Sequence, residues 1–291
     1  MTDLEALLEA IYAAPDDDAP RLVYADALLE RGDPRGELIV RQCQGHAATD
    51  LVEQYGEGWL GELAPVLAAS TFERGFLATA TVRDQRGARD LEPLIGHPTW
   101  RTVRELRGSA AIAVHPSLTA LRVLHVAREK TLWRELLSGA TRDLVELHYQ
   151  PNVDENWFPD GDVTATPHSG GVWSYDVIQE ELAALAECSA LPRLRRLVLT
   201  GALESSLPMV LGGSLLDRVP DVETHHGPIA VKIAGGIAAV TLAPTASPHY
   251  AQGLLAVIRL LPEHLGIELT TGPRFENRQL IEGALGSRLR R

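Results

Sequence analysis

The sequence predicts a mixed α/β chain, with a short α-helical domain over residues 1–70 followed by an irregular solenoid of strand-helix units over 71–291. Three observations carry this prediction. The first 70 residues repeat apolar side chains at helical spacing, a short apolar-x-x-apolar-x-apolar motif recurs from residue 71 onward, and helix-like segments lie between the copies.

Leu4, Leu7, Leu8, Ile11 and Tyr12 form one apolar stripe, and Thr2 with Glu5 has capping-box spacing, so a first helix is expected. Pro15 ends it. Asp18 stands where an N-cap belongs, Pro20 occupies the first turn, and Asp16 and Asp17 place negative charge at the positive end of the helix dipole. Leu22, Ala25, Leu28 and Leu29 supply the buried face of the second helix. Gly32 is a left-handed stop, and Asp33-Pro34 opens a third short helix through Leu38 and Ile39. Residues 49–69 read as a further helix pair carrying Leu51, Val52, Tyr55, Trp59, Leu60, Leu63 and Leu67.

The segments Pro15-Asp16-Asp17-Asp18, Pro20-Arg21-Leu22-Val23-Tyr24-Ala25-Asp26 and Glu30-Arg31-Gly32-Asp33-Pro34-Arg35-Gly36-Glu37 resemble the bacterial repeat-companion domain, across roughly residues 4–42. A tryptophan usually follows the Ala-Asp pair in that family, and Ala27 stands here instead. The resemblance implies a companion helical domain ahead of leucine-rich-like repeats, and it brings no activity with it.

The repeat motif begins at Leu77, Val103, Leu121, Leu144 and Leu194, with looser copies at Val222 and Ile237 and a last candidate ending in Ile267-Glu268-Leu269. The first residues of the first seven copies are 26, 18, 23, 50, 28 and 15 apart, so the gap of 50 is expected to hold an obscured repeat. Helices are expected over Leu132–Leu137, Val177–Ala186, Leu207–Leu216 and Tyr250–Leu261. Each strand-turn-helix unit would bury its apolar face only by stacking on its neighbours, and the whole looks like an irregular leucine-rich-repeat solenoid.

In such an array the third and fifth motif positions point away from the core and form rows on adjacent strands. The third-position row reads Thr79, Glu105, Val123, Glu146, Arg196, Thr224 and Ala239, and the fifth reads Thr81, Arg107, His125, His148, Val198, His226 and Thr241. His125 and His148 are therefore expected side by side, with Glu105, Arg107 and Glu146 close by. Residues 150–175 carry Trp157, Phe158 and Trp173 in a polar, turn-rich stretch, where large aromatics serve either as an internal plug or as partner anchors. The adjacent pair His225-His226 is expected to place one ring inward and one outward.

The expected function is a non-enzymatic scaffold that binds another protein through Glu105, Arg107, His125, Glu146, His148, Trp157, Phe158 and Trp173. The alternative is a metal-binding enzyme or accessory subunit using the His125/His148 face. No nucleophile elbow, phosphate loop or dinucleotide fingerprint occurs, and no cofactor is expected. With 27 basic and 39 acidic residues the net charge is −12, which disfavours nucleic acid as a partner. Self-association remains open. Neither a membrane span nor a leader peptide is expected, so the chain is read as cytoplasmic. Cys43 and Cys188 are expected as buried thiols, and Arg288, Arg290 and Arg291 as a solvated basic end.

Overall fold

A computed structural model describes residues 3–83, 91–108, 110–127, 134–137, 143–150, 180, 182–200, 214–226, 229–243, 250–272, 275 and 278–290. The chain is mixed α/β, with helices first and ten strands among the described residues. It divides into two compact units, one of residues 1–126 with 142–144 and the other of 127–141 with 145–291.

In the first unit, α1 (Asp3–Ala13), α2 (Ala19–Leu29), α3 (Pro34–Cys43) and α4 (Thr49–Leu60) precede a β-hairpin. Leu4, Leu7 and Leu8 of the predicted stripe pack on a core of Ile11, Tyr24, Ala25, Leu28, Ile39 and Phe76. Phe76 belongs to the hairpin, so helices and strands share one core. The α2 start differs in detail from expectation: Asp18 occupies the N-cap position without a side-chain cap bond. Asp17 Oδ1 instead accepts the Ala19 N–H at 2.9 Å. Asp33 does cap α3, its Oδ1 accepting the Arg35 N–H at 2.9 Å. Gly36 lies against α2 so closely that a Cβ would sit 2.7 Å from the Ala25 carbonyl oxygen.

Residues 49–69 are not a helix pair. Gly61 adopts φ +53° at the end of α4, the 3-10 segment Gly61–Val66 follows, and β1 (Leu67–Glu73) begins at once. Pro65 cannot donate to a continuing α-helix, and the strand is fixed by its partner β2 (Phe76–Val82). Parallel strands β3 (Glu105–Arg107) and β4 (Val123–Ala127) follow, in the register Thr79–Glu105–Val123 and Thr81–Arg107–His125. Both rows match the sequence reading. The 3-10 turns Glu92–Leu94 and Pro98–Thr102 connect β2 to β3 and hold Trp100 fully buried.

In the second unit, β5 (Glu146–Gln150), β6 (Arg196–Thr200) and β7 (Asp221–His226) run parallel. Their inward side chains Leu147, Tyr149, Leu197, Leu199 and Val222 are all buried. Then the pattern changes. β8 (Ile229–Ala234) pairs antiparallel with both β7 and β9 (Ile237–Leu242), so the copies at Val222 and Ile237 are not consecutive parallel repeats. A two-residue turn of Gly235 (φ +58°) and Gly236 (φ +79°) joins β8 to β9. Helix Tyr250–Leu260 then crosses to β10 (Gly266–Thr270), which returns parallel to β9.

The predicted helix over 250–261 is present, and the one over 207–216 is described only from Ser214, as Ser214–Arg218. Of the segments 132–137 and 177–186, the described parts are helical at 134–137, 180 and 182–186. The basic end is more than a solvated tail: Arg288 donates to the Leu261 and Pro262 carbonyls at 3.0 and 2.6 Å. No helix among the described residues is long and apolar enough to cross a membrane.

Candidate functional site

Outward-facing residues of β5, β6 and β7 form a charged network centred on Arg196. Parallel register aligns Glu146 with Arg196 and Asp221, and His148 with Val198 and Glu223. Arg196 Nε lies 3.1 Å from Glu146 Oε1, its NH1 3.5 Å from Asp221 Oδ2, and its NH2 donates to Glu223 Oε2 at 2.8 Å. A histidine closes each flank. His148 Nε2 is 2.6 Å from Glu146 Oε1, and His225 Nε2 is 2.8 Å from Glu223 Oε1. The arrangement follows from strand geometry, since residues two apart share a face and neighbouring strands stand about 4.8 Å apart. The side chains of Glu146, Arg196, Asp221 and Glu223 are all between 21 and 30% exposed, so the charges are partly desolvated yet open to solvent.

This network corrects the sequence reading at one strand. Thr224 and His226 were expected on the outward rows; the register puts Asp221, Glu223 and His225 there, and Thr224 is buried at 1% exposure. The true first motif position is Val219, fully buried, and Thr224 takes an apolar slot. The threonine disguises the copy. A signal for the correct register was present in the recurrence Glu146-Leu147-His148 and Glu223-Thr224-His225. Val198, expected outward in the fifth-position row, is buried.

In the first unit, Glu105 Oε1 gathers three contacts: Arg107 Nε and NH2 donate at 3.0 and 2.7 Å, and His125 Nε2 lies at 3.0 Å. Glu105, Arg107 and His125 are therefore brought together as expected, within one unit. His148 and Glu146 are brought together in the other. Trp157, Phe158 and Trp173, with the whole insertion at 151–175, lie outside the described residues. Among the described residues no group of three or more His, Cys, Asp and Glu side chains is arranged to hold a metal ion.

Cys188 is buried and Cys43 half-buried. Burial pushes the Cys43 thiol up to about 11, so it carries little thiolate near neutrality.

The acidic triplet at residues 16–18 divides its work. Asp17 caps α2, as above, while Asp16 sits in a cluster of arginines: Arg104 NH2 donates to its Oδ1 at 2.5 Å, and Arg122 NH2 lies 3.5 Å from Oδ2. Arg74, at the hairpin tip, donates to the Asp16 and Pro15 carbonyls and to Asp18 Oδ1 at 3.0 to 3.1 Å. The sequence reading assigned these aspartates to helix capping alone. They also fasten the α1–α2 loop to the strands.

The hydrogen bond from Arg104 holds the Asp16 carboxyl below its ordinary value. A depressed folded-state value contributes stability above the unfolded value of about 3.9, lost as pH falls through the lower folded one. The melting temperature of Asp16→Asn is accordingly expected to lie below wild type near neutral pH, and the gap to close on acidification. A gap that persists in acid would mean that Asp16 acts by packing rather than charge.

Arg196→Met leaves three carboxylates without their shared cation. It is expected to cost about 1–2 kcal/mol, a figure discounted for partial exposure, and less in high salt. Urea melts at two salt concentrations check both the cost and its direction.

No protein-family model, curated protein or solved structure matches the chain.

Proposed function

We propose that the protein is a cytoplasmic, non-enzymatic scaffold: an irregular leucine-rich-repeat-like solenoid with an N-terminal repeat-companion domain, whose outward strand face binds another protein. The observation that carries this reading is the continuous charged network of Glu146, His148, Arg196, Asp221, Glu223 and His225 across three parallel strands. Side chains in a row on neighbouring strands form a broad, pre-ordered surface of the kind that repeat arrays offer to partners. In the first unit Glu105, Arg107 and His125 form a charged cluster of the same kind. Parallel pairing among β2, β3 and β4, and again among β5, β6 and β7, supports the repeat reading. In this proposal Trp157, Phe158 and Trp173 act as aromatic anchors for the partner.

Copurification from the native host tests the proposal. The wild-type chain is expected to retain a reproducible protein partner at near-stoichiometric amounts. Joint replacement of Glu105, Glu146 and Glu223 by glutamine, or of Trp157 and Phe158 by alanine, is expected to release it. Wild-type protein that retains nothing reproducible, or variants that retain the same partner undiminished, would overturn the scaffold reading.

A further inference from the structure

The β5–β7 face also specifies the chemistry of what it binds. We propose that it seats a cationic side chain, lysine or arginine, carried by a segment of a partner protein; this rests on the scaffold reading and narrows it.

Charge balance is the first argument. Glu146, Asp221 and Glu223 bring three negative charges to the face and Arg196 one positive charge, giving −3 + 1 = −2 with neutral histidines. Lys232 on β8 stands in register with Glu223, and counting it leaves −3 + 2 = −1. The surplus stays negative.

Hydrogen-bonding capacity is the second. Three carboxylates offer roughly a dozen lone-pair directions. Of the Arg196 nitrogens only NH2 donates a hydrogen bond to the face, while Nε and NH1 stand 3.1 and 3.5 Å from carboxylate oxygens as ion pairs, and one ring nitrogen each from His148 and His225 completes the groups already present. Asp221 Oδ1 is buried and accepts no hydrogen bond from the described residues, although Oδ2 of the same carboxylate faces Arg196. An acceptor without a donor is costly, and because the Asp221 side chain is 29% exposed, a small turn of its carboxylate presents that oxygen to a partner's ammonium or guanidinium.

An anionic partner fits badly for a complementary reason. Arg196 is the cation at the centre of the face, and each of its guanidinium nitrogens already lies within 3.5 Å of a carboxylate oxygen. An incoming carboxylate or phosphate would have to displace one of those three groups and would meet the remaining two as like charges. Partly exposed carboxylates on a fixed strand register are, by contrast, pre-ordered for a cation, so little ordering cost falls on the protein side.

Binding of two short peptides by the full-length protein, one of alternating lysine and serine and one of alternating glutamate and serine, tests the proposal by fluorescence anisotropy. The chain is acidic overall, so the control must match charge. Glu146→Gln/Asp221→Asn/Glu223→Gln and the remote triple Glu53→Gln/Glu57→Gln/Glu62→Gln change the net charge equally, and the remote residues are all exposed on or just after α4. The lysine peptide is expected to bind about tenfold or more weakly to the face triple and within about twofold of wild type to the remote triple. Asp221→Asn alone keeps both glutamates on Arg196; it is expected to weaken binding about threefold or more, and it decides the matter if the face triple melts early.

Equal loss in the face and remote variants, or tighter binding of the glutamate peptide, would overturn the proposal. Face-dependent lysine-peptide binding together with no host partner would leave cation selectivity standing and remove the scaffold reading. A host partner released by the joint glutamine replacement of Glu105, Glu146 and Glu223, together with lysine-peptide binding that the face triple leaves unchanged, would keep the scaffold reading and remove cation selectivity.

Discussion

Trp100→Ala is expected to destabilise the first unit by about 3–5 kcal/mol, the range for a buried large aromatic truncated to a methyl group. Trp100 is fully buried in the 3-10 turn Pro98–Thr102, between β2 and β3. Its Nε1–H donates to the Leu94 carbonyl at 2.9 Å, which ties the two short turns of this connection to each other. Thr102, two residues on, is buried as well and donates its hydroxyl to the Leu77 carbonyl on β2 at 2.9 Å. Removing the indole therefore opens a cavity and leaves a buried carbonyl without its donor. Trp100→Phe separates the two effects: it keeps most of the apolar volume and is expected to cost about 1–2 kcal/mol. Urea melts followed by circular dichroism give both numbers. A cost below about 1 kcal/mol for the alanine variant would show that the turn repacks around the loss.

The helices of the N-terminal region were legible because their signals are local. Leu4, Leu7, Leu8 and Ile11 repeat at helical spacing, and Asp33-Pro34 carries both a cap and a first-turn proline in adjacent positions. β1 was not legible in the same way. Leu67-Ala68-Ala69-Ser70-Thr71 has no clear alternation, and only pairing with β2 decides its state, a non-local fact that its own residues do not encode. β8 is a different case. Ile229, Val231 and Ile233 alternate with less buried neighbours, and Gly235-Gly236 separates that run from the next, which is a hairpin signal available in the sequence.

For the site, Glu146 and His148 could be found because Leu144, Leu147 and Tyr149 mark the strand's inward positions clearly. Glu223 and His225 were hidden by a buried Thr224 in an apolar slot. A strand face is set by parity, so starting the copy at Val222 instead of Val219 exchanged the outward and inward sets. Arg196 was placed on the correct row, but its role needed the register of two neighbouring strands. A guanidinium between three carboxylates is a property of β5, β6 and β7 together, and no single segment carries it.

Gly75→Ala is expected to cost about 2–4 kcal/mol, combining a left-handed backbone penalty with overpacking. Arg74 and Gly75 form the two-residue turn between β1 and β2, with φ of +51° and +81°, as the twist of a tight hairpin requires. Arg74 tolerates this uncommon conformation because its guanidinium is held by Pro15, Asp16 and Asp18. Gly75 has the further constraint of space. A Cβ there would collide with Ile39 Cγ1, and Ile39 is fully buried in α3. The backbone cannot simply withdraw, since the Gly75 N–H donates to Gln42 Oε1 at 2.8 Å and its carbonyl accepts from Arg35 Nε at 3.0 Å. Beside it, Arg35 and Arg21 hold their guanidinium carbons 4.6 and 5.3 Å from the centre of the Phe76 ring. Arg21 and Arg35 thus help to seat the hairpin tip on the helices, while Gly36 lets α3 approach α2. Gln42→Ala, which removes both the bond to the Gly75 N–H and the one to the Phe72 carbonyl while leaving the turn unobstructed, is expected to cost about 1–2 kcal/mol, less than Gly75→Ala. The reverse order in denaturation experiments would place the main constraint in the hydrogen bond and not in the close approach to Ile39.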